Sequence, residues 1–231
     1  MNAWPPPYTI RISKRARYAR LRISADKGLE VVLPEGMGEA QAKRLLTLRR
    51  TWIEKHQAGF ASRASTPLPT EIDLPSIHQS LTIDYRLIEQ DTFHIREETD
   101  RLRISGPTDD QAKVCHGLRD WLKRKAGIVL TPWLHQLSRD VELPYRKLSV
   151  RLQRTRWGSC SSAGNINLNA KLLLMEPELV RHVMVHELCH TVHMNHSPAF
   201  WALVADHDPD WQRLRKECRM RGSTLPEWVS V

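Results

Sequence analysis

The segment His186-Glu187-Leu188-Cys189-His190, with His196 six residues on, constrains this chain more than any other stretch. Histidines four residues apart lie one turn apart on the same face of an α-helix. Their imidazoles can share one metal ion, and Glu187 is placed to reach a water on that ion. A third protein ligand would leave the fourth position free, as in catalytic rather than structural zinc sites. The flanking sequence supports a helix. Glu176-Pro177-Glu178 reads as its start, with proline in the first turn and carboxylates at the positive end of the dipole. The helix is expected from Leu179 to about Met194, with Val185, Leu188 and Val192 opposite His186 and His190.

Three residues compete for the third ligand. His193 continues the stripe, but at 1.5 Å per residue it lies about 10 Å along the axis from His186. That is too far for one ion with Zn–N bonds of about 2.0–2.1 Å. Glu217, on a later helix, is an alternative. His196 ranks first, because a helix ending near Asn195 would let the chain turn back toward the metal. Ser197-Pro198 then opens a new helix, with serine as N-cap and proline first. Phe200, Trp201 and Trp211 are expected to pack beneath the metal helix.

His186-Glu187-x-x-His190, five intervening residues, then His196-Ser197-Pro198-x-Phe200-Trp201 resembles the YgjP-like metallopeptidase family, a relative of the SprT-like and WLM zinc proteases. Arg156-Trp157-Gly158-Ser159-Cys160-Ser161-Ser162-x-Gly164-Asn165-Ile166-x-Leu168-Asn169 carries the same resemblance. So do Arg15-Ala16-Arg17 and Gly28-Leu29-Glu30-Val31-Val32-x-Pro34 near the front. The resemblance implies a peptide or protein substrate, Zn²⁺ on His186, His190 and His196, and Glu187 as catalytic base. Metzincin proteases share the histidine spacing but carry glycine where this chain has His193. Arg156, His193 and Asn195 are close in sequence to these residues and are the candidates to contact substrate or face the oxyanion.

Composition narrows the alternatives. No apolar run approaches 18 residues, so no membrane span is expected. The start lacks the charged and apolar regions of a secretory signal. Cys115, Cys160, Cys189 and Cys218 form no C-x-x-C pair, which suggests free thiols in a reducing, cytoplasmic setting. Cys189 reads as a small core residue. Cys160 could line the cleft and compete for zinc, but an inert thiol is the better reading. The chain carries a net charge of +9. Residues 1–60 hold 12 Lys/Arg against 5 Asp/Glu, an excess of +7. Arg11, Lys14, Arg15, Arg17, Arg20 and Arg22 crowd one segment that could hold a nucleic acid or nucleotide phosphate. Solvated arginines on an exposed strand explain it better. Two rival functions follow: a metal-dependent nucleotide or pyrophosphate hydrolase, and a zinc-containing nucleic-acid-binding protein with little catalysis. The first lacks a Gly-rich phosphate loop and a carboxylate cluster for Mg²⁺. The second would not need Glu187.

The expected fold is α+β: an N-terminal β-rich region with one helix over residues 1–107, then a zincin-like α+β catalytic domain over 108–231. Strands are expected at Tyr8–Ser24, Leu29–Leu33, Ser80–Glu89, Thr92–Glu97 and Arg101–Ser105, with a turn at Asp26-Lys27-Gly28. Glu39–His56 and a stretch from about Thr108 have helical periodicity, and Ala61–Pro75 reads as a loop. Gln41-Ala42-Lys43 and Gln111-Ala112-Lys113 hint at a repeated hairpin-helix unit. Thr131-Pro132 is expected to start or kink a helix ending near Asp140. Leu148–Gln153 alternates as a strand, and Trp157–Ser162 reads as a loop at the rim of the site. Asn165–Asn169 alternates too, with Ile166 and Leu168 inward and the asparagines outward. It is the candidate strand to pair with an extended substrate, and an interior strand with no free edge is an equal reading. A last helix is expected from Pro209 to about Met220.

Overall fold

Val31, Val32 and Leu33 are wholly buried, which puts their strand at the centre of the first sheet. The structure, a computed structural model, describes residues 4–24, 28–54, 67–89 and 92–229. It shows an α+β fold whose contacts gather into two compact units. One lies within Met1–Pro67 and takes in Gln111–Lys113. The other comprises Leu68–Asp110 and Val114–Val231. This division falls earlier in the chain than 107/108, because strands after Leu68 share a core with the helices that follow.

In the first unit β1 (Tyr8–Ser13), β2 (Arg20–Ser24) and β3 (Gly28–Pro34) form a sheet in the order β1-β3-β2. β1 runs parallel to β3 and β2 antiparallel to it. A single strand was expected over Tyr8–Ser24. Instead the Ala16 N–H donates to the Ser13 carbonyl (3.1 Å), and the turn lets the two halves pair on opposite edges of β3. Helix α1 (Glu39–Leu48) adds Ala42 and Leu46 to a core with Leu29, Val31, Leu33 and Ile53. Arg11, Lys14, Arg15, Arg17, Arg20 and Arg22 are all exposed, and Arg11 pairs with Glu30 (3.1 Å). Asp26 and Lys27 of the expected turn, His56, and residues 61–66 of the expected loop lie outside the described residues.

In the second unit β4 (Glu71–Leu74), β5 (Gln79–Leu87), β6 (His94–Glu97) and β7 (Arg101–Gly106) form a sheet in the order β4-β5-β7-β6. β4 stands where a loop was expected. Ile72 and Leu74 alternate with two acids, and both apolar side chains are buried. Helix α2 (Gln111–Asp140) follows, and Val114, Leu118, Leu122, Ala126, Leu130 and Leu134 line its buried stripe. It runs unbroken through Pro132, where a start or kink was expected. Proline removes one backbone donor there. The gap falls on the solvent side, where Ile128 is 74% exposed, and the Thr131 hydroxyl donates to the Gly127 carbonyl (2.6 Å). β5, β6 and β7 with α2 repeat the connectivity of β1, β2 and β3 with α1, including the parallel outer-to-central pair.

The rest of the chain builds the layer that carries the histidines. β8 (Lys147–Arg151), β9 (Gly158–Cys160) and β10 (Asn165–Asn169) form a sheet in the order β8-β10-β9. Helices α3 (Pro177–Cys189), α4 (Pro198–His207) and α5 (Trp211–Arg221) complete it. Ile166 and Leu168 of β10 join the core that holds α2 and α3. No helix among the described residues is long and apolar enough to cross a membrane.

Leu130 is fully buried, and truncation should leave a cavity. Leu130→Ala is expected to lower stability in urea denaturation by about 2–5 kcal/mol. Ile128→Ala, one turn face away, should shift it by no more than about 0.5 kcal/mol. Equal effects would contradict the assigned helix face.

Candidate metal centre

Glu176 caps α3 and Pro177 occupies its first position, so the helix starts as the sequence implied. His182, His186 and His190 fall on successive turns. The helix ends sooner than expected, at Cys189, with His190 as C-cap. The cause is local. The Thr191 and Val192 N–H groups donate to the Leu188 (2.9 Å) and Cys189 (3.1 Å) carbonyls, three residues back, which tightens the last turn. The Thr191 hydroxyl also donates to the Leu188 carbonyl (2.8 Å). Val192 is therefore turned outward, 55% exposed, and does not join the apolar face.

The early stop brings His196 back. His186 Nε2 lies 3.2 Å from His190 Nε2 and 3.1 Å from His196 Nε2. Two ligands bound 2.0–2.1 Å from a tetrahedral ion stand about 3.3 Å apart, so this is ligand spacing. The His193 carbonyl lies 2.9 Å from His190 Nδ1. A carbonyl can only accept, so Nδ1 carries the hydrogen and Nε2 presents its lone pair inward. Phe200 stacks on His190 at 4.4 Å and meets His186 edge-on at 5.0 Å. Trp201 stacks on His196 at 5.5 Å and on Trp211 at 4.3 Å. Burial, then the neighbouring histidines and Arg215, push His186 down to about 3. Burial, His190 and Arg215 also lower His196. The competing third ligands stand elsewhere: Glu217 accepts from Arg213 (2.9 Å), and His193 offers its carbonyl rather than its ring to the group. Asn195 is exposed on the returning turn.

Glu187 is buried and lies against β9. A Cβ added to Gly158 would stand 2.6 Å from Glu187 Oε1 and 2.7 Å from its Cγ. Only glycine lets the carboxylate sit there. Burial pushes Glu187 up to about 8, and Arg156, itself exposed, pulls it partly back. Its Oε2 atom is buried with no hydrogen-bond partner among the described residues. A buried polar atom in this state marks a place where a ligand or ion belongs. Cys160 is half-buried, and burial followed by the Glu187 charge raises its thiol, which disfavours the thiolate that would compete for a metal. Burial pushes Cys189 up to about 12.

β10 is the central strand of its sheet, so of the two readings the interior strand with no free edge for a substrate is the one found. The edge strands are β8 and β9, and the one beside Glu187 is β9, within the stretch expected as loop. The Trp157 carbonyl accepts from Asn169 (2.8 Å), and the Ser161 N–H donates to Asn165 (2.9 Å). By alternation, the main-chain groups of Gly158 and Cys160 point away from β10. Asn169, expected outward, is buried. Its Nδ2 donates to the carbonyls of Gln153 (2.9 Å) and Arg156 (2.7 Å), fastening the loop before β9. Trp157 Nε1 donates to the Cys218 carbonyl on α5 (3.0 Å). His182 and Asp208, both buried, meet at 2.6 Å and tie α3 to the end of α4. The sequence reading placed Gly158 in a loop at the rim but missed the room it gives Glu187, and it missed the His182–Asp208 pair.

The family model for the YgjP-like metallopeptidase domain matches residues 17–220. The chain belongs to the YgjP-like metallopeptidase family. The match takes in all three histidines, Glu187, Gly158 and strands β2 and β3 of the first sheet. No curated protein and no solved structure matches.

The metal-free YgjP-like chain should show two opposed pH effects. The native state keeps His186 neutral while the unfolded chain protonates it, so stability falls as pH drops from 6.5 toward 3. Glu187 acts the other way: the native state holds a proton the unfolded chain has lost, so its contribution falls as pH rises from 4.5 toward 8. Glu187→Gln removes only the second effect. Urea denaturation of metal-free protein at pH 5 and pH 8 should show the variant gaining on wild type at the higher pH. A pH-independent difference would contradict the burial of a proton-holding Glu187.

Proposed function

We propose that this chain is a zinc-dependent peptidase acting on peptide or protein substrates, with His186, His190 and His196 as metal ligands and Glu187 as general base. The observation that carries the reading is the convergence of three imidazole nitrogens, with His186 Nε2 at ligand spacing from the other two and, on the same turn, a buried carboxylate oxygen that has no partner among the described residues. Three imidazoles suit Zn²⁺. Among the described residues no further His, Cys, Asp or Glu joins the group, which leaves a coordination position for a reactant and argues against a closed structural site. Zinc bound there supplies Lewis acidity, bringing the pKa of water toward neutrality and drawing charge from a carbonyl oxygen.

The chain's own residues account for the proton transfers and the positioning. Glu187 takes a proton from water as the water oxygen bonds to the scissile carbonyl carbon. It returns that proton to the amide nitrogen as the C–N bond breaks. A carboxyl with raised proton affinity suits both transfers. Of the three residues weighed for the oxyanion, Arg156 is the one whose charge already bears on Glu187. His193 and Asn195 are held on the turn that delivers His196. The outward main-chain groups of Gly158 and Cys160 would pair with an extended substrate beside Glu187. The free thiols support the cytoplasmic setting expected from the sequence. The exposed arginines of the first unit supply charge but, among the described residues, no organised phosphate site, so the nucleotide-hydrolase and nucleic-acid readings rank lower.

Incubating the zinc-loaded protein with casein, nucleoside triphosphates and single-stranded DNA, with and without chelator, separates the readings. Casein should be cleaved, and chelator should stop it. Glu187→Gln should keep its zinc and lose on the order of 10²-fold or more in rate. His196→Ala should lose most of its bound zinc. Parent-like turnover by Glu187→Gln, or cleavage of triphosphates instead of casein, would overturn the proposal.

A further inference from the structure

The arginines of α5 fall into two classes. Arg213 reaches Glu178 (3.0 Å) and Glu217 (2.9 Å), and Arg221 pairs with Glu176. Arg215 has no carboxylate partner among the described residues. Its guanidinium instead lies over the Trp201 ring, 4.5 Å from the centroid. Trp211, one helical turn before Arg215, stacks on the same indole at 4.3 Å, and His196 stacks on it at 5.5 Å. Arg215 is thus seated on the aromatic group that supports the third histidine. The position over the indole uses the face of the guanidinium and spends none of its N–H donors among the described residues, whereas Arg213 and Arg221 have spent theirs on carboxylates. A planar fork of this kind matches a carboxylate in two parallel hydrogen bonds. Arg219, one turn further along α5, is also without a carboxylate partner among the described residues and keeps that edge of the helix positive.

The geometry points to Arg215 as a specificity residue that binds a carboxylate of the peptide substrate beside His196. This rests on the peptidase reading. Arg215 lies 4.5 Å from the Trp201 ring, which lies 5.5 Å from His196, and an extended peptide advances about 3.3 Å per residue, so the carboxylate belongs within about three positions of the scissile bond. It is either an Asp or Glu side chain or the free C-terminus.

The test uses a library of short peptides made in two forms, with free and with amidated C-termini. Zinc-loaded Glu187→Gln protein, with and without Arg215→Ala, is incubated with each form, and retained peptides are identified by mass spectrometry. Wild-type enzyme and its Arg215→Ala and Arg215→Lys variants are run in parallel for cleavage. Retained and cleaved peptides should be enriched for carboxylates on the order of tenfold, the scale of a hydrogen bond to a charged group. Arg215→Ala should abolish the enrichment with zinc content and thermal midpoint unchanged. Arg215→Lys should restore it in part, since it keeps the charge but not the fork. Enrichment that survives amidation assigns the side chain as the source, and enrichment lost on amidation assigns the C-terminus. Absence of enrichment, or equal enrichment in Arg215→Ala, overturns the inference. Retention with enrichment but no cleavage by wild type upholds the role of Arg215 and tells against the peptidase reading instead.

Discussion

The hydrogen bond between His190 Nδ1 and the His193 carbonyl joins the last turn of α3 to the segment that carries His196. It performs three tasks at once. It fixes the tautomer of His190, it sets the ring so that Nε2 faces inward, and it commits the chain to a turn rather than another helical turn. A helix continued past His190 would carry the next histidine away along the axis. The shift to bonds three residues back at Thr191 and Val192 is what makes the return geometrically available. The side chains of α4 then close the group from one side, with Phe200 under His190 and Trp201 under His196.

The second constraint is the burial of Glu187. A carboxylate removed from water prefers to hold a proton, and none of the described residues within hydrogen-bond reach compensates one of its oxygens. The fold carries this cost beside the convergent imidazoles, where a divalent cation would relieve it. The surrounding structure is built to keep the carboxylate in place. Gly158 gives it room, Asn169 fastens the loop that leads into β9, and Trp157 anchors the same loop to α5. His182 and Asp208 hold the helix itself.

Much of this was legible in the sequence because it depends on local spacing. The i, i+4 histidines, the Glu176-Pro177 start and the Ser197-Pro198 start report short-range geometry, and α3 and α4 begin where those signals put them. The alternation in Asn165–Asn169 gave β10 its inward Ile166 and Leu168. What stayed hidden depends on residues distant in sequence. That β10 is central, and that β9 offers the edge, is decided by which strands flank it, and periodicity does not encode neighbours. Asn169 is buried because loop carbonyls from Gln153 and Arg156 need a donor, a tertiary demand that overrides the polar-outward rule. β4 was lost inside a stretch rich in serine, threonine and proline, since two buried side chains are too few to register as a pattern. Pro132 does not mark a helix start, because a helix anchored by a long buried stripe absorbs one missing donor on its wet side.

Zinc-edge X-ray absorption on protein reconstituted with one equivalent of Zn²⁺ tests the central claim most directly. The account predicts a single ion with three imidazole nitrogens at about 2.0–2.1 Å, one further light ligand and no sulfur. A shell containing the Cys160 sulfur, or one with fewer than three imidazoles, would contradict it.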